Sequence, residues 1–431
     1  MKVCVQGLWH LGCVTASCIA SLGNKTTGLD YDQKIIENLK NGIPPIFEPG
    51  LDDLIKIGTT SDLLKFSNGY DLDLSDIEVL WIAYDTPVDE DDIADVGFVF
   101  DQIVKTLKFL PPETTIIISS QMPVGSIKKL EMTVEQRFSD KHFGFAYSPE
   151  NLRLGKALNV FLNPDRIVVG VRGTRDKLRL EKLLYPITKN IEWMSIESAE
   201  MTKHAINAFL ATSVVFANEI ASICELVGAD AKEVERALKS ESRIGPKAYL
   251  SPGGPFAGGT LARDVVFLNN TGIENKLSTP LLSSILQSNE EHKNWVKRKI
   301  KAVCSELSQC TIAIWGLTYK PGTDTLRRSL AVELCHWLID NGAIVQVHDP
   351  IVTELPDNLS ERIKKFDDPL DVLVNAQILV IATEWPFYRE ILQDEVAKIN
   401  SGLTIIDANR FLTQFATDNR FKYLAVGVPN Q

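Results

Sequence analysis

The sequence lacks two things that would direct a functional assignment: an excess of positive charge and a metal-binding pattern of cysteines. Its 431 residues carry a formal net charge of −11, which argues against nucleic acid as a main partner because phosphate backbones recruit basic surfaces. The seven cysteines are scattered, with no CxxC pair and no Cys/His cluster at zinc spacing. We therefore expect reduced thiols, no bound metal and a cytoplasmic location.

A leader peptide and long hydrophobic runs are also missing from the sequence. Met1 and Lys2 lead directly into strand-like residues, so we expect no signal peptide. No apolar stretch approaches the roughly 18 to 20 residues of a membrane-spanning helix, so we expect no membrane partner. With 45% hydrophobic and 23% charged residues, the composition is that of a globular protein, and the length favours about two to three domains.

What the sequence does have is an alternation of short apolar runs with helical stretches. Residues 2–6 predict a buried strand, residues 11–22 a helix and residues 25–30 a second strand. Such alternation predicts a parallel sheet that is covered by helices on both faces. Further strand-like runs occupy 79–85, 114–120 and 166–171.

The second half of the chain begins with helical periodicity from about residue 196 to residue 239. A second strand–loop–helix–strand pattern starts at Thr311, and later strand-like runs occupy 376–385 and 403–408. The predicted fold is therefore α/β, with two Rossmann-like doubly wound domains joined by a long central helix. We place the boundaries at 1–195, 196–300 and 301–431.

The loop "GLWHLG" after the first strand resembles a dinucleotide-binding fingerprint. Gly7 and Gly12 hold the places of the first and third glycines of that fingerprint, but Trp9 replaces the second, which normally lets pyrophosphate approach the backbone. Asp30 ends the next strand, where a carboxylate binds ribose hydroxyls and disfavours a 2′-phosphate, so NAD is predicted over NADP. Either the Trp9 side chain points away and leaves the amides near Leu11 and Gly12 to the phosphates, or the cofactor binds in an altered pose.

Nine further stretches, spread in order over nearly the whole chain, resemble the UDP-glucose/GDP-mannose dehydrogenase family. The resemblance implies NAD in the first region, a homodimer through the central helical region, and a nucleoside-diphosphate sugar, most often a UDP-sugar, bound with the help of the third region. The stretches are "GIPPIFEPGLDDLI" (42–55), "WIAYDTPVDED" (81–91), "SQMPVGS" (120–126), "YSPENLRLGKAL" (147–158), "PDRIVVG" (164–170), "ESAEMTKHAINAFLA" (197–211), "SPGGPFAGGTLARD" (251–264), "GLTYKPGTDTLRRS" (316–329) and "TEWPFY" (383–388).

The resemblance also implies roles for individual residues. Lys203 and Asn207 match a pair that polarises the reacting oxygen and a catalytic water, and their spacing of four places them on one helix face. Glu150 matches a carboxylate that handles protons and water, and Asp264 matches an aspartate that supports the lysine. The implied cofactor-binding positions, beside the loop residues, are Thr86, Gln121, which stands where the family usually has threonine, and Arg263, which stands where it usually has lysine. Matched substrate-binding positions are Asn151, Leu152, Arg153, Arg243, Tyr249, Gly253, Tyr319, Lys320 and Arg327.

The sequence departs from the family pattern at the reacting centre. Members of the family oxidise a sugar C6 alcohol twice, and a cysteine captures the intermediate aldehyde as a thioester precursor. Aligned without a gap, the cysteine position here is Thr260, whose hydroxyl has no accessible anion near neutral pH. We therefore predict an atypical member without the thioester step.

Several outcomes remain open from the sequence. The enzyme stops at an aldehyde or ketone after one hydride transfer, or it oxidises the hydrated aldehyde with Glu150 as base. A redox-neutral epimerase or dehydratase that recycles NAD is a second class. A non-catalytic nucleotide-sugar binder is the third.

Overall fold

The computed structural model describes residues 1–69, 73–87, 94–150, 152–257 and 259–429. The chain forms two compact units, Met1–Ala205 and Ile206–Gln431. The predicted division into three regions stays a prediction, because the helical stretch after residue 205 and the last α/β fold lie in one of these units.

The first unit is built on an eight-stranded sheet with the order β3-β2-β1-β4-β5-β6-β7-β8. The strand pairs from β3 to β6 are parallel, as the apolar runs predicted, but β7 pairs antiparallel with β6. The expectation of parallel pairing is therefore wrong at that position. The strands are β1 (Lys2–Gln6), β2 (Lys25–Leu29), β3 (Leu64–Ser67), β4 (Val79–Ile82), β5 (Thr115–Ile118), β6 (Gly144–Tyr147), β7 (Ile167–Val171) and β8 (Ile191–Met194).

Helices cover both faces of this sheet. Val3 and Val5 of β1 pack into one hydrophobic cluster, whereas Cys4 packs into another, because successive strand side chains point to opposite faces. The prediction of a doubly covered sheet is confirmed. The helices are α1 (His10–Ser21), α2 (Gln33–Lys40), α3 (Leu51–Thr60), α4 (Val96–Leu107), α5 (Ser126–Arg137), α6 (Ala157–Leu162) and α7 (Thr174–Leu184).

A 32-residue helix, α8 (Ile196–Val227), follows β8 and continues from the first unit into the second. It ends at Val227, and the next residue, Gly228, has a left-handed φ of +79°, a conformation that glycine adopts without steric cost. Asp230 then accepts a hydrogen bond from the amide of Lys232 and starts α9 (Ala231–Ser240). The helical stretch predicted to residue 239 is therefore two helices.

By length and composition, α8 is apolar enough to cross a membrane, and it is the one such helix among the described residues. The expectation that no apolar stretch approaches that length is wrong by this measure. A single helix of this kind is weak support for a membrane span, because core helices share its composition, and 44% of its most apolar window is buried.

The second unit carries a six-stranded sheet with the order β11-β10-β9-β12-β13-β14, and all its pairs are parallel. The fold class, two Rossmann-like domains joined by a long central helix, is confirmed. The strands are β9 (Thr311–Trp315), β10 (Ile344–His348), β11 (Ile363–Lys365), β12 (Ile378–Ile381), β13 (Thr404–Ile406) and β14 (Lys422–Leu424). The helices are α10 (Thr260–Glu274), α11 (Pro280–Val303), α12 (Leu330–Asp340), α13 (Asp357–Ser360) and α14 (Gln393–Ile399). Short 3-10 turns occupy Leu307–Gln309, Asp371–Leu373, Pro386–Glu390 and Thr413–Thr417.

Candidate active site

The loop between β1 and α1 needs glycine at two of its positions. Gly7 has a φ of +92°, and a Cβ there would lie 2.7 Å from the Tyr84 ring. A Cβ at Gly12 would lie 1.7 Å from the carbonyl oxygen of Gly7, so only glycine lets α1 start this close to the strand end. These are the turn and packing roles expected of the first and third glycines.

Trp9, at the place of the second glycine, has an extended backbone with φ −84° and ψ −154°. Any residue adopts this conformation, so the replacement costs no backbone strain. Trp9 is the N-cap residue of α1, no side chain caps this helix end, and 43% of the residue is exposed. The orientation of the Leu11 and Gly12 amides toward a pyrophosphate stays a prediction.

Asp30 follows β2 and lies beside the loop. One of its carboxylate oxygens accepts the amide of Leu8 at 2.7 Å, and the other accepts the amide of Asp32 at 3.0 Å. The residue is only partly buried, and each carboxylate oxygen can accept more than one hydrogen bond. Capacity therefore remains for ribose hydroxyls, and the loop, the uncapped helix start and Asp30 together fit a dinucleotide.

Glu150 and Lys203 are brought together in the first unit. The ammonium group of Lys203 donates to the backbone carbonyl oxygen of Glu150 at 2.8 Å, and the Leu152 amide lies 2.9 Å from each carboxylate oxygen of Glu150. Burial raises the pKa of Glu150; the Leu152 amide and Lys203 oppose the rise, and the charge of Asp85 adds to it. A raised pKa makes this carboxylate a stronger base than an ordinary glutamate, the direction that general-base catalysis requires.

A buried glutamate that the sequence reasoning missed holds the segment after Glu150. Glu48, only 2% exposed, accepts the amides of Gly155 and Ala157, both at 2.8 Å, and its carboxylate lies 2.9 Å from Nε2 of His10. Burial disfavours the ionised form of Glu48, but these hydrogen bonds outweigh burial and lower its pKa. The one feature of the sequence that could have indicated this role is a charged residue within the otherwise apolar "PPIFEPG". Through these contacts, Glu48 connects the start of α1 to the segment after Glu150.

The loops after β4 and β5 are joined by the predicted cofactor-binding residues. The hydroxyl of Thr86 donates to the backbone carbonyl of Gln121 at 2.7 Å. Both residues are partly buried, at the carboxyl ends of adjacent parallel strands where ligands of such sheets bind.

In the second unit, the structure pairs Asn207 with Asp264. The Asn207 side-chain amide donates to the Asp264 carboxylate, and the two residues are 7% and 1% exposed. Arg263 precedes Asp264 on α10 and is partly buried, whereas Thr260, the first residue of that helix, is exposed. All seven cysteines of the chain are buried, and none lies in the 251–264 stretch.

Gly253, a predicted substrate-binding residue, is enclosed by side chains that the sequence reasoning missed. Its amide donates to Asn218 at 3.0 Å, and its carbonyl accepts from Nε2 of His292 at 2.7 Å. The amide of Gly254 donates to the side-chain oxygen of Asn409 at 2.6 Å. Two asparagines and a histidine therefore fix the backbone of this loop, and no spacing in the sequence linked them.

The remaining predicted substrate-binding residues are mostly at the surface. Leu152 is partly buried, Arg243 bonds Glu241 at 2.9 Å, and Asn151 lies outside the described residues. Among the described residues, no group of three or more histidine, cysteine or acidic side chains is placed to hold a metal ion. The exposed members are Arg153, Arg243, Tyr249, Tyr319, Lys320 and Arg327.

The two Rossmann-like folds and the glycine loop after β1 define a dinucleotide-binding protein. The chain belongs to the UDP-glucose/GDP-mannose dehydrogenase family. The NAD binding domain of that family matches residues 1–188, its central domain matches 197–291, and its UDP binding domain matches 313–414. The predicted family, enzyme class and cofactor NAD are thereby confirmed, and the substrate class is a nucleotide sugar.

Individual relatives resemble the chain over its full length. The UDP-glucose 6-dehydrogenase of Rickettsia prowazekii is 33% identical over 435 residues, covering 99% of both chains. The UDP-glucose 6-dehydrogenase TuaD of Bacillus subtilis is 31% identical, covering 99% of this chain and 93% of its own. The structure of a UDP-glucose dehydrogenase from Pyrobaculum islandicum superposes with a TM-score of 0.86 at 27% identity, covering 100% of this chain and 98% of that chain.

Proposed function

We propose that this protein oxidises an alcohol carbon of a UDP-sugar, at C6 as in the relatives named UDP-glucose 6-dehydrogenase, and releases a carbonyl product without forming a thioester. The observation that carries the proposal is the contact between Lys203 and the backbone carbonyl of Glu150 in the NAD-binding unit, beside a partly buried carboxylate whose pKa is raised by burial. The position of the family nucleophile is held by Thr260, and every cysteine of the chain is buried.

The roles of the residues follow from their charges. Bound NAD supplies the hydride acceptor. Glu150 takes the hydroxyl proton as the C–H bond gives up its electron pair and the C=O bond forms, so the sugar loses two hydrogens. The ammonium group of Lys203 stabilises the negative charge that develops on the oxygen.

The absence of a thiol decides what happens next. A thiolate adds to an aldehyde and retains it covalently, whereas a threonine hydroxyl is not ionised near neutral pH. The carbonyl compound is therefore held by non-covalent contacts alone and is released when the reduced cofactor is exchanged. Hydration of the aldehyde and a second hydride transfer, with Glu150 as base, is the competing route.

Product analysis tests the proposal. We expect about one NADH per sugar consumed and a product two mass units lighter, since the sugar loses one hydride from carbon and one proton from the hydroxyl group. Two NADH per sugar and a gain of fourteen mass units would support the hydrate route instead. An unchanged mass with bound NAD would indicate a redox-neutral enzyme, and no conversion of any nucleotide sugar would leave only a binding protein.

Two variants sharpen this test. Thr260→Cys restores the family nucleophile, and we expect the NADH yield per sugar to rise toward two if the thiol alone was missing. Lys203→Ala should lower turnover by about 10³-fold, as expected for loss of one preorganised group that stabilises developing charge. Lys34→Ala, on the exposed face of α2, is the matched control, and equal activity of the two lysine variants would contradict the catalytic role.

The choice of UDP is supported by the second unit. Tyr319, Lys320 and Arg327 fall inside the segment that matches the UDP binding domain, and all three are exposed to solvent. Calorimetric titrations in which UDP, GDP and ADP compete for the protein test the preference for UDP. Tighter binding of GDP would contradict it.

A homodimer through α8 is part of the proposal. Phe209, Phe216 and Ile223 are 71%, 45% and 55% exposed, and their seven-residue spacing places them along one face of the helix. Phe216→Asp should shift the mass measured by light scattering from dimer to monomer, and a monomeric wild type would refute the dimer. The cytoplasmic location stays a prediction.

A further inference from the structure

The first turns of α8 present three polar side chains to the loops that carry predicted reacting and cofactor-binding residues. Glu200, Lys203 and His204 are spaced three and four apart and therefore share one helix face. Lys203 reaches the carbonyl oxygen of Glu150, after β6. The other two bind the segment 121–127, after β5.

Glu200 serves as the cap of a different helix. Its two carboxylate oxygens accept the amides of Gly125 at 2.7 Å and Ile127 at 3.0 Å, at the start of α5. Gly125 is the N-cap residue of α5 and has no side chain to cap it. Glu200 is fully buried, and an anion at a helix N-terminus satisfies its unpaired amides and its dipole.

His204 makes a second contact to the same segment. Its Nε2 donates to the backbone carbonyl of Met122 at 3.1 Å, and His204 is 3% exposed. Residue 122 follows Gln121, whose carbonyl accepts the hydroxyl of Thr86. Residues near both ends of the segment 121–127 are therefore hydrogen-bonded to α8. The two anchoring side chains, Glu200 and His204, lie on either side of Lys203 within about one turn of that helix.

We propose that Glu200 and His204 are positioning residues: they hold α8 against the segment 121–127, so that the Lys203 ammonium keeps a fixed place relative to Gln121 and Thr86. This role rests on the proposed function, in which Lys203 stabilises the developing alkoxide. Both side chains bind backbone atoms of the segment 121–127, so they fix the position of α8 relative to that backbone. If α8 shifted, Lys203 would move away from the loops that carry Gln121 and Thr86.

The magnitude expected is set by how steeply reaction rate depends on geometry. A misplacement of about 1 Å costs on the order of 10²-fold in rate. Loss of one anchor while the other remains should therefore lower kcat by about 10- to 100-fold. The binding of NAD should change little, since neither side chain belongs to the β1–α1 loop and the bond between Thr86 and Gln121 does not involve either of them.

Glu200→Gln is the primary variant, because glutamine keeps the shape and loses the charge and one acceptor. Its matched control is Glu197→Gln, one turn earlier on α8, where the carboxylate pairs with Arg172 and is 40% exposed. The two variants each remove one negative charge from α8, but only Glu200 contacts the segment 121–127. His204→Leu removes the other anchor and replaces Glu200→Gln if that variant fails to fold.

Four measurements separate positioning from simple stabilisation. We expect Glu200→Gln to lower kcat by about 10- to 100-fold and to keep the dissociation constant of NAD within about threefold. The kinetic isotope effect on kcat with sugar deuterated at the reacting carbon should increase, because hydride transfer becomes slower. Amide exchange at Gly125 and Ile127 should accelerate. Glu197→Gln should show none of these changes.

The outcomes that would overturn the role are distinct. Equal kcat in Glu200→Gln and Glu197→Gln, with an active wild type, refutes positioning and leaves the proposed function intact. A kcat loss in Glu200→Gln that is matched by an equal loss of NAD binding also refutes it, because the effect is then a general distortion. A wild type that converts no nucleotide sugar refutes the proposed function and the positioning role with it.

Discussion

The two Rossmann-like folds of this chain use the same backbone device after their first strands. Gly7 after β1 and Gly316 after β9 have φ values of +92° and +89°. The next residue in each, Leu8 and Leu317, donates its amide at 2.7 Å to an aspartate that follows the neighbouring strand. Each glycine is also enforced by the loop after a third strand, where a Cβ would meet Tyr84 or Thr383.

The two aspartates, Asp30 and Asp349, nevertheless have different roles. Asp349 is 4% exposed and accepts five donors: the amides of Leu317, Thr318, Ile351 and Val352, and the indole of Trp385. Asp30 is partly exposed and accepts the backbone amides of Leu8 and Asp32. A carboxylate with its acceptor sites occupied fixes a loop, whereas one with acceptor capacity left can also bind a ligand.

The loops differ in length as well. In the first unit α1 begins at His10, close to the strand end, where dinucleotide-binding folds hold the pyrophosphate at a helix N-terminus. In the second unit α12 begins only at Leu330, and Ser329 caps it. The intervening loop carries Tyr319, Lys320 and Arg327. The same fold thus presents a helix N-terminus in one unit and a long polar loop in the other.

The comparison predicts its largest effect at the buried aspartate. Asp349→Asn replaces a carboxylate oxygen that accepts three donors with a group that donates, so buried donors lose their partner. We expect the free energy of unfolding of the second unit to fall by about 3 kcal/mol, measured by urea denaturation. Asp340→Asn, on the surface of the same unit, is the control and should change stability little. Equal stability of the two variants would show that Asp349 is not a structural group.

The corresponding change in the first unit should affect binding rather than folding. Asp30→Asn removes the negative charge that is predicted to accept ribose hydroxyls, and we expect NAD affinity to fall about 10- to 50-fold, or about 1.4 to 2.3 kcal/mol. Calorimetry with NAD measures it, and Asp53→Asn on the exposed side of α3 serves as control. If Asp30→Asn lost stability but not affinity, the two aspartates would be equivalent after all.

The long loop should act on the other ligand. Arg327→Ala is expected to weaken UDP binding about fivefold, or roughly 1 kcal/mol, and to leave NAD affinity unchanged. Titration with UDP and with NAD separately checks this. Arg362→Ala, on the surface of the same unit, is the control. Weaker NAD binding in Arg327→Ala would contradict the assignment of NAD to the first unit and of UDP to the second.

The smallest effects concern how the free energy of unfolding depends on pH. In the second unit, burial opposes ionisation of Glu235, but Lys239, Ser251 and Lys232 lower its pKa to about 2 from an ordinary 4.5. A lowered pKa stabilises the fold above pH 4.5 and the contribution disappears as the pH falls toward 2. Glu235→Gln should therefore cost about 1 kcal/mol at pH 7, after allowance for solvent screening, and almost nothing near pH 2.

Glu150 in the first unit should respond with the opposite sign. Its pKa is raised, so its ionisation opposes folding as the pH rises through the folded-state value. Glu150→Gln should be at least as stable as the wild type at pH 7, by urea denaturation, although it loses turnover. A strong loss of stability in this variant at pH 7 would contradict the sign.

Much of the fold was predictable because its signals are local. The apolar runs that became β4, β5 and β9 are buried along their length, which gives the continuous pattern of a covered parallel sheet. The direction of β7 was not predictable, since a short apolar run reads the same in either direction. The break of the long helix at Gly228 was likewise hidden within a periodic stretch.

The candidate site divides in the same way. Residues such as Lys203 and Glu150 stand in stretches similar to a known family and could be named in advance. Glu48, Glu200 and Asn409 could not, because each acts on backbone atoms far away in sequence. Their partners lie 107, 75 and 155 positions away, distances over which no spacing rule operates.

The sequence by itself determined the alternation of strands and helices and the glycine positions of the first loop, and it predicts a threonine, Thr260, at the position of the family cysteine. These follow from local sterics and from the chemistry of single side chains. Only the tertiary structure decided that Trp9 occupies its place without strain, that Asp30 keeps acceptor capacity while Asp349 is enclosed, and that Glu200 caps a helix other than its own. The physical reason is that burial and hydrogen bonding depend on which distant segments meet, and that is a property of the folded chain.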